Sequence, residues 1–410
     1  MLTGKLFEAS ALLLSFLVVI AGYLVIVWKD SSWINWASPF FLLSVGSKYV
    51  FQFLYLYSIN PGGSRYAYAF CYTTYGLSFL IGALVYAFVR PIKIRQSGPP
   101  VDLGTLPWFL LLLGFLLYLP VLIEFRAYLT EPRRIYELTR TGYGLYYFGS
   151  TTFTTLGFVT FLFKRDKGIW STTLFFTICT ALAYWHGSKG QIITYILIWL
   201  LYRVYVNRTP IRAFMASVLL ASVAGLAIGS FVLFSSAADV ADLANSVTTF
   251  ADYVRNAMLV IDDPHGQIYY GRLLIENEVY SRIPRSIMPD KPKDFGPFIL
   301  AKIYNPASYR NDEGVGAFDL GALYADFGVL SMFFVCAYSA LSALFISSLT
   351  LHLRGGAGPG TFIVFLFMVG VSVIPIAGPF YLPESIALAG VVSLAARFRI
   401  LRPSLTPAEN

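Results

Sequence analysis

The chain has 410 residues, of which 57% are hydrophobic and 13% charged, and its formal net charge is +8. A soluble domain carries roughly a quarter charged residues, so this composition excludes an ordinary soluble globular protein. It also argues against a β-barrel, whose strands alternate in segments of about ten residues rather than running continuously apolar.

The charges are gathered between apolar runs of roughly 20 residues, long enough to cross a hydrocarbon core as helices. In chain order the runs fall near residues 7–28, 36–58, 66–89, 105–124, 144–163, 170–186, 190–206, 212–235, 318–350, 360–377 and 383–398. They predict an all-α polytopic membrane protein with about 11 transmembrane helices, within a range of about 10–12. The stretch from Phe318 to Leu351 fits either one tilted helix or a short piece followed by a span. The first run, inside Met1 to Trp28, is too long for a signal-peptide core and has no small-residue cleavage pattern, so a retained span is expected. The chain thus divides into residues 1–235 with a loop at 124–144, a large loop at 236–317, and a final group of spans and a tail at 318–410.

Orientation follows from lysine and arginine in short loops. Arg90, Lys93 and Arg95 follow the third run; Lys164, Arg165 and Lys167 follow the fifth; Arg203, Arg208 and Arg212 surround the end of the seventh. Arg354 follows the ninth, and Arg397, Arg399 and Arg402 follow the last. All close odd-numbered runs and so share one side, the cytoplasm; only Lys5 argues against an outer N-terminus. Much of the positive charge is therefore orientation charge, and no nucleic-acid partner is expected. The segments 124–144 and 236–317 then face outward. No internal repeat or matching pair of broken helices suggests an inverted-repeat transporter.

Outer loops should be poor in basic residues, yet these two are rich in them. The first holds Arg126, Arg133, Arg134 and Arg140 among Glu124, Glu131 and Glu137, a spacing that also suits ordinary i,i+4 pairs on an interfacial helix. The second holds Arg255, His265, Arg272, Glu276, Glu278, Arg282, Arg285, Lys291, Lys293, Lys302 and Arg310. Helical character up to Arg282 ends at Pro284, and a proline-rich stretch follows. Arg282, Arg285 and Lys291 can converge at that break. Fork-shaped guanidiniums beside a membrane suit a phosphate or pyrophosphate, against the plainer alternative of pairing to Glu276, Glu278, Asp290 and Asp294. A second basic feature is His186-Gly187-Ser188-Lys189-Gly190-Gln191 at the outer start of the seventh run. There the free N–H groups and the dipole of the helix favour an anion, which would make Lys189 a second wall of the same site.

Other candidates are weaker. Cys71, Cys179 and Cys336 lie far apart inside apolar runs without metal-ligand spacing. Asp262-Asp263-Pro264-His265 is an ordinary turn signal, so no metal or cofactor is expected. Tyrosines such as Tyr269, Tyr270, Tyr280 and Tyr304 crowd outer positions; an interfacial belt explains most of them, and sugar rings stack on such faces.

Three pieces carry a resemblance. They are Gly187-Ser188-Lys189-Gly190, then Ile283-Pro284-Arg285 with Pro289-Asp290-Lys291-Pro292, then Gly314-Val315-Gly316 leading into Leu323-Tyr324-Ala325-Asp326-Phe327-Gly328. In these residues, their order and the large loop between the first and third, the chain resembles the bacterial oligosaccharide repeat-unit polymerases of the Wzy type, which build O-antigen and capsule polymers. The resemblance implies a GT-C-like, metal-independent glycosyltransferase of the bacterial inner membrane. Its substrates would be undecaprenyl-pyrophosphate-linked oligosaccharides at the periplasmic face, with the growing chain passed to the non-reducing end of a new lipid-linked repeat unit. It implies membrane lipids and a chain-length regulator protein as partners. Lys189 departs from the arginine common in the family and offers charge without a bidentate fork.

For such a reaction the expected catalytic residues are Arg282 and Arg285 for the departing pyrophosphate, with Glu278 or His265 as general base. Lys189, Lys291, Arg255, Arg272, Arg310, Arg133 and Arg134 are the substrate-binding candidates. A ligase of the same architecture remains the nearest alternative. A transporter of an anionic lipid-linked solute would place charges deep within spans, where Lys48 is the main one.

Overall fold

A computed structural model describes residues 2–58, 63–93, 103–139, 142–164, 168–187, 189–219, 221–222, 225, 252–283, 287–310, 318–374 and 381–395. Among these residues the regular structure is helical and no strand occurs. In chain order the helices are α1 Leu2–Asp30, α2 Ser38–Val45, α3 Phe51–Ser58, α4 Arg65–Phe88, α5 Leu106–Glu124, α6 Pro132–Leu138, α7 Gly144–Leu162, α8 Ile169–Trp185 and α9 Lys189–Tyr205. After them come α10 Asp252–Ile261, α11 Arg272–Arg282, α12 Pro297–Tyr304, α13 Pro306–Arg310, α14 Leu320–Phe327, α15 Ser331–Arg354, α16 Pro359–Met368 and α17 Leu382–Ala395.

Four helical stretches among the described residues are long and apolar enough to cross a membrane: Lys5–Asp30, Arg65–Phe88, Leu106–Glu124 and Leu320–Arg354. Shorter apolar helices are Ile169–Trp185, Gly190–Tyr205, Pro359–Met368 and Leu382–Ala395. The run expected at 36–58 is α2 and α3 joined by a π-helical turn, Gly46–Val50, that carries Lys48. The run at 318–350 takes the divided form: α14 ends at Gly328, a 3-10 turn spans Gly328–Leu330, and α15 follows. Most of the run expected at 212–235 lies outside the described residues.

Compactness groups the chain into two units. The first comprises Met1–Lys29, Phe40–Arg90 and Ala237–Leu344; the second comprises Asp30–Pro39, Pro91–Ser236 and Phe345–Asn410.

In the first unit, several polar groups inside apolar helices are paired with one another, as a low-dielectric interior favours. The Ser15 hydroxyl donates to the Tyr72 carbonyl at 2.6 Å, and Tyr72 in turn donates to the Lys48 carbonyl at 2.8 Å. The Lys48 ammonium, the charge expected to sit alone in a span, pairs with Asp319 at 2.6 Å, and the Tyr75 hydroxyl donates to the same carboxylate at 2.6 Å. At the start of α4, Ser64 accepts from the Ala67 N–H at 3.1 Å, the usual N-cap bond.

In the second unit α5 and α7 pack through small residues, the usual way for apolar helices to approach closely in lipid. A Cβ at Gly114 would stand 2.6 Å from Thr154 Oγ1 and 3.1 Å from the Ser150 carbonyl oxygen. Three buried threonines of α7 turn their hydroxyls back onto their own helix: Thr151 to Tyr147, Thr155 to Thr151 and Thr160 to Leu156, at 2.8–3.0 Å. Trp108, Phe161 and Phe175 stack beside them. Gly114→Val is therefore expected to force the two helices apart and lower stability by about 1–3 kcal/mol. A thermal-unfolding scan of the detergent-purified protein reads this out, with Leu112→Val on the exposed face of α5 as the control that leaves the midpoint unchanged.

Candidate functional site

The described residues of the large loop form α10 to α13, and two consecutive aspartates fix the turn after α10. Asp262 accepts from the backbone N–H of Ser64 at 2.6 Å, so α10 is tied to the start of α4. Asp263 accepts from the backbone N–H of His265 at 2.9 Å, an Asx turn, and from the Tyr304 hydroxyl at 2.9 Å. These two bonds hold the Asp263 carboxyl below the usual carboxylate range, while burial and the neighbouring carboxylate raise the Tyr304 hydroxyl. His265 thus stands at the rim of a cavity of about 320 Å³, lined also by Tyr269, Tyr304, Tyr324, Gln267, Leu300 and Ile303. Such a space, with aromatic walls and several polar groups, falls in the size range of small-ligand sites.

Helix α11 is held at its N-terminus by one buried side chain. The Asp326 carboxylate, 1% exposed, accepts from the backbone N–H groups of Leu273 at 3.0 Å and Leu274 at 2.9 Å. The first N–H groups of a helix have no partner within it, and its dipole favours a negative charge there. The Tyr269 N–H also donates to the Ala325 carbonyl at 2.9 Å. Gly271, at φ +85, makes the turn between these bonds; a side chain there would be strained and would press on the Phe327 ring, 3.3 Å from its Cβ.

At the other end of α11 the expected basic residues gather. Arg282 bonds the carbonyl and the carboxylate of Glu278. Lys291 Nζ donates to the carbonyl of Ile283, the residue that ends the helix, at 3.2 Å. Lys291 is therefore brought to the helix break, and Glu278 draws the Arg282 guanidinium back along the last turn of α11. Arg285 lies outside the described residues.

The remaining loop cations have local partners. Arg272 pairs with Glu276 at 2.6 Å, Arg255 with Asp252 at 3.0 Å, and Arg310 donates to the Pro306 carbonyl at 3.1 Å. Lys302 pairs with Asp294 at 2.7 Å, and Tyr309 donates to the same carboxylate. Arg133 and Arg134, on α6, both pair with Glu137, at 3.1 and 4.0 Å, so the spacing in that loop produces helix-surface ion pairs.

The glycine-lysine turn belongs to the second unit. Gly187, at φ +62, passes so close to the Pro132 carbonyl oxygen that a Cβ would fall 2.3 Å from it. His186 before it is fully buried against the Tyr118 ring. Its Nδ1 faces the Gln191 amide oxygen at 3.1 Å and its Nε2 the Ser150 hydroxyl at 2.9 Å. The amide oxygen only accepts, so Nδ1 carries the proton and Nε2 accepts from Ser150. Lys189 is the first residue of α9.

Over 401 residues, 95% of each chain, the sequence is 36% identical to the O-antigen polymerase of Salmonella typhimurium strain LT2 and equally to the O-antigen polymerase of Salmonella typhi. The chain belongs to the O-antigen polymerase family. It is accordingly an integral membrane glycosyltransferase of polysaccharide biosynthesis. No family model and no solved structure matches it.

For this O-antigen polymerase family member, sequence reasoning flagged the stretch containing Asp326 but gave that carboxylate no role; an acid in an otherwise apolar stretch is the signal that marks it. Asp319 was missed likewise, although an unmatched Lys48 within a span demands an acid somewhere in the chain. Tyr304 and Asp263 were read as surface and turn, and only folding places them beside one cavity.

Two outcomes follow. Asp326→Ala leaves two buried N–H groups without an acceptor and should destabilise the docking of α11 by about 1–3 kcal/mol, with Asp326→Asn intermediate. Hydrogen exchange of the 272–282 amides measures it. Asp294, held below the usual carboxylate range chiefly by Lys302, contributes stability above the ordinary aspartate value of about 3.9 and loses it as pH falls through its own lower value. Protection factors in α12, corrected for the intrinsic pH dependence of amide exchange, should therefore stay level near neutrality and fall only below about pH 4, by no more than a few-fold for so exposed a pair; Asp294→Asn should remove the step.

Proposed function

We infer that the chain lengthens a polysaccharide by transferring a glycan from a lipid pyrophosphate to a hydroxyl at the non-reducing end of a lipid-linked repeat unit. The observation that carries this reading is the end of α11, where Arg282 is held by Glu278 in the last turn and Lys291 returns to the carbonyl of Ile283 just beyond it, in the unit that also holds the tyrosine-lined cavity with His265 in its lining. The break supplies cations for a pyrophosphate and the cavity supplies aromatic faces for sugar rings.

In the reaction the bond between the anomeric carbon and the pyrophosphate oxygen breaks, and the acceptor oxygen bonds that carbon. The acceptor proton passes to a base, and the pyrophosphate leaves with the bonding electrons. Pyrophosphate is already a good leaving group, so positioning and neutralisation of departing charge are the enzyme's main tasks. Arg282, Arg285 and Lys291 take the second task in place of a metal ion, consistent with a GT-C-like mechanism. His265 is the better-placed base, because Glu278 is engaged with Arg282. The lysines and arginines of the short loops support an inner-membrane protein whose large loop faces the periplasm. A membrane partner that sets chain length fits the same scheme.

Turnover of a purified lipid-linked repeat unit tests the reading. Arg282→Ala and Arg285→Ala should each lower the rate by about 10²–10³-fold, with a smaller loss for Lys291→Ala. Lys189→Ala tests the charge at the start of α9 independently. Normal polymerisation by both arginine variants would refute the site. Unattached polymer accumulating in a deletion strain, in place of single-repeat products, would identify a ligase instead.

A further inference from the structure

A second concave site lies in the second unit, and none of the residues given a catalytic or substrate-binding role above lines it. It is a cavity of about 580 Å³ lined by Lys93, Arg208, Ser348, Leu351, His352 and Arg354. Three chain segments deliver its cations. The segment of Lys93 is fixed to α15 by the Ile92 N–H, which donates to Ser348 Oγ at 3.0 Å. Arg208, at φ +55, donates to the carbonyl of Arg354, the last residue of α15. Arg354 is oriented by the buried Asp30 carboxylate at 2.8 Å, which also accepts from the Tyr205 hydroxyl.

Orientation charge and capping of a helix C-terminus explain cations near this end of α15, but neither needs a cavity. Here three full positive charges meet one carboxylate, and that carboxylate faces Arg354 and Tyr205. Among the described lining residues there is no acid. A non-glycine residue held at positive φ costs conformational energy, which surrounding interactions must offset; at Arg208 the bond to the Arg354 carbonyl does so and fixes the guanidinium at the rim. Leu351 adds an apolar wall, as an acyl chain beside a charged headgroup requires.

We propose that this cavity binds the phosphate group of an anionic lipid headgroup. The guanidiniums of Arg208 and Arg354 supply forked donors to the phosphate oxygens, and Lys93 supplies a point charge. Basic pockets among membrane helices recognise such headgroups by this chemistry. Binding stabilises the fold, because it draws together segments 91–93 and 205–211 and the last turn of α15.

The test uses full-length protein, delipidated in neutral detergent and followed by thermal unfolding. Cardiolipin should raise the midpoint, increasing with the logarithm of its concentration above the dissociation constant, and phosphatidylethanolamine should not. Lys93→Gln/Arg208→Gln should weaken the cardiolipin response at least about tenfold in concentration; Lys93→Gln alone, at an exposed residue, should weaken it less and leave the lipid-free midpoint unchanged. An equal shift from inorganic pyrophosphate, lost in the same variants, would support the phosphate site and name a soluble anion as its source. Equal responses of wild type and double variant, or a response to both lipids alike, would overturn the proposal. Should the double variant fail to fold, an unaltered response in Lys93→Gln would overturn it as well.

Discussion

One buried carboxylate organises the loop helices of the first unit. Asp326 accepts the leading N–H groups of α11, and the position of everything carried by that helix follows from it. A charge taken out of water is costly unless it is paired or hydrogen-bonded. A helix N-terminus offers both unpaired donors and a favourable dipole, so each feature answers the need of the other. Because Asp326 belongs to α14, which leads into the apolar helix α15, the capping fixes a polar loop helix to a rigid element. Functional groups are held most accurately by such elements. Arg282, Glu278 and Lys291 gain their positions through α11; His265 gains its own through the Asp263 turn and Tyr304.

Charges in the loop show how little a cation count says about a ligand. Arg272, Arg255, Lys302 and Arg133 each have a carboxylate within 2.6–3.1 Å, and exposed pairs of this kind contribute little to stability. Arg282 is also paired, yet it differs in setting. It belongs to the last turn of the helix, and Lys291 returns to the carbonyl of Ile283, the next residue. A cation at a helix C-terminus stabilises the helix by itself, so the functional weight of this group rests on the convergence and on the family to which the chain belongs.

The second unit is built around a neutral hub. His186, bonded on both ring nitrogens and packed against Tyr118, joins α7, α8 and α9, and the Gln191 amide passes the bond on to the Tyr195 hydroxyl at 2.8 Å. The Gly187 turn that sequence reasoning valued for a neighbouring lysine is equally a packing device, since only a residue without a Cβ fits against Pro132. One short stretch of sequence therefore serves a structural task at His186 and Gly187 and presents Lys189 at a helix start.

The sequence by itself determined that the chain is helical, apolar and membrane-embedded, which segment forms the large polar loop, and which family its short motifs resemble. These properties are local: transfer of a run of residues into lipid sums over neighbours in the chain, and a proline ends a helix wherever it stands. The helix ending near Arg282 and the Asp263 turn were legible for the same reason. Only the tertiary structure decided that Lys48 pairs with Asp319, that Asp326 caps α11, and that Tyr304 and His265 share a cavity. Each of these joins residues distant in sequence, and the choice among the available acids depends on where the folded helices return. It is the exclusion of water, which makes an unpaired charge costly, that settles the choice.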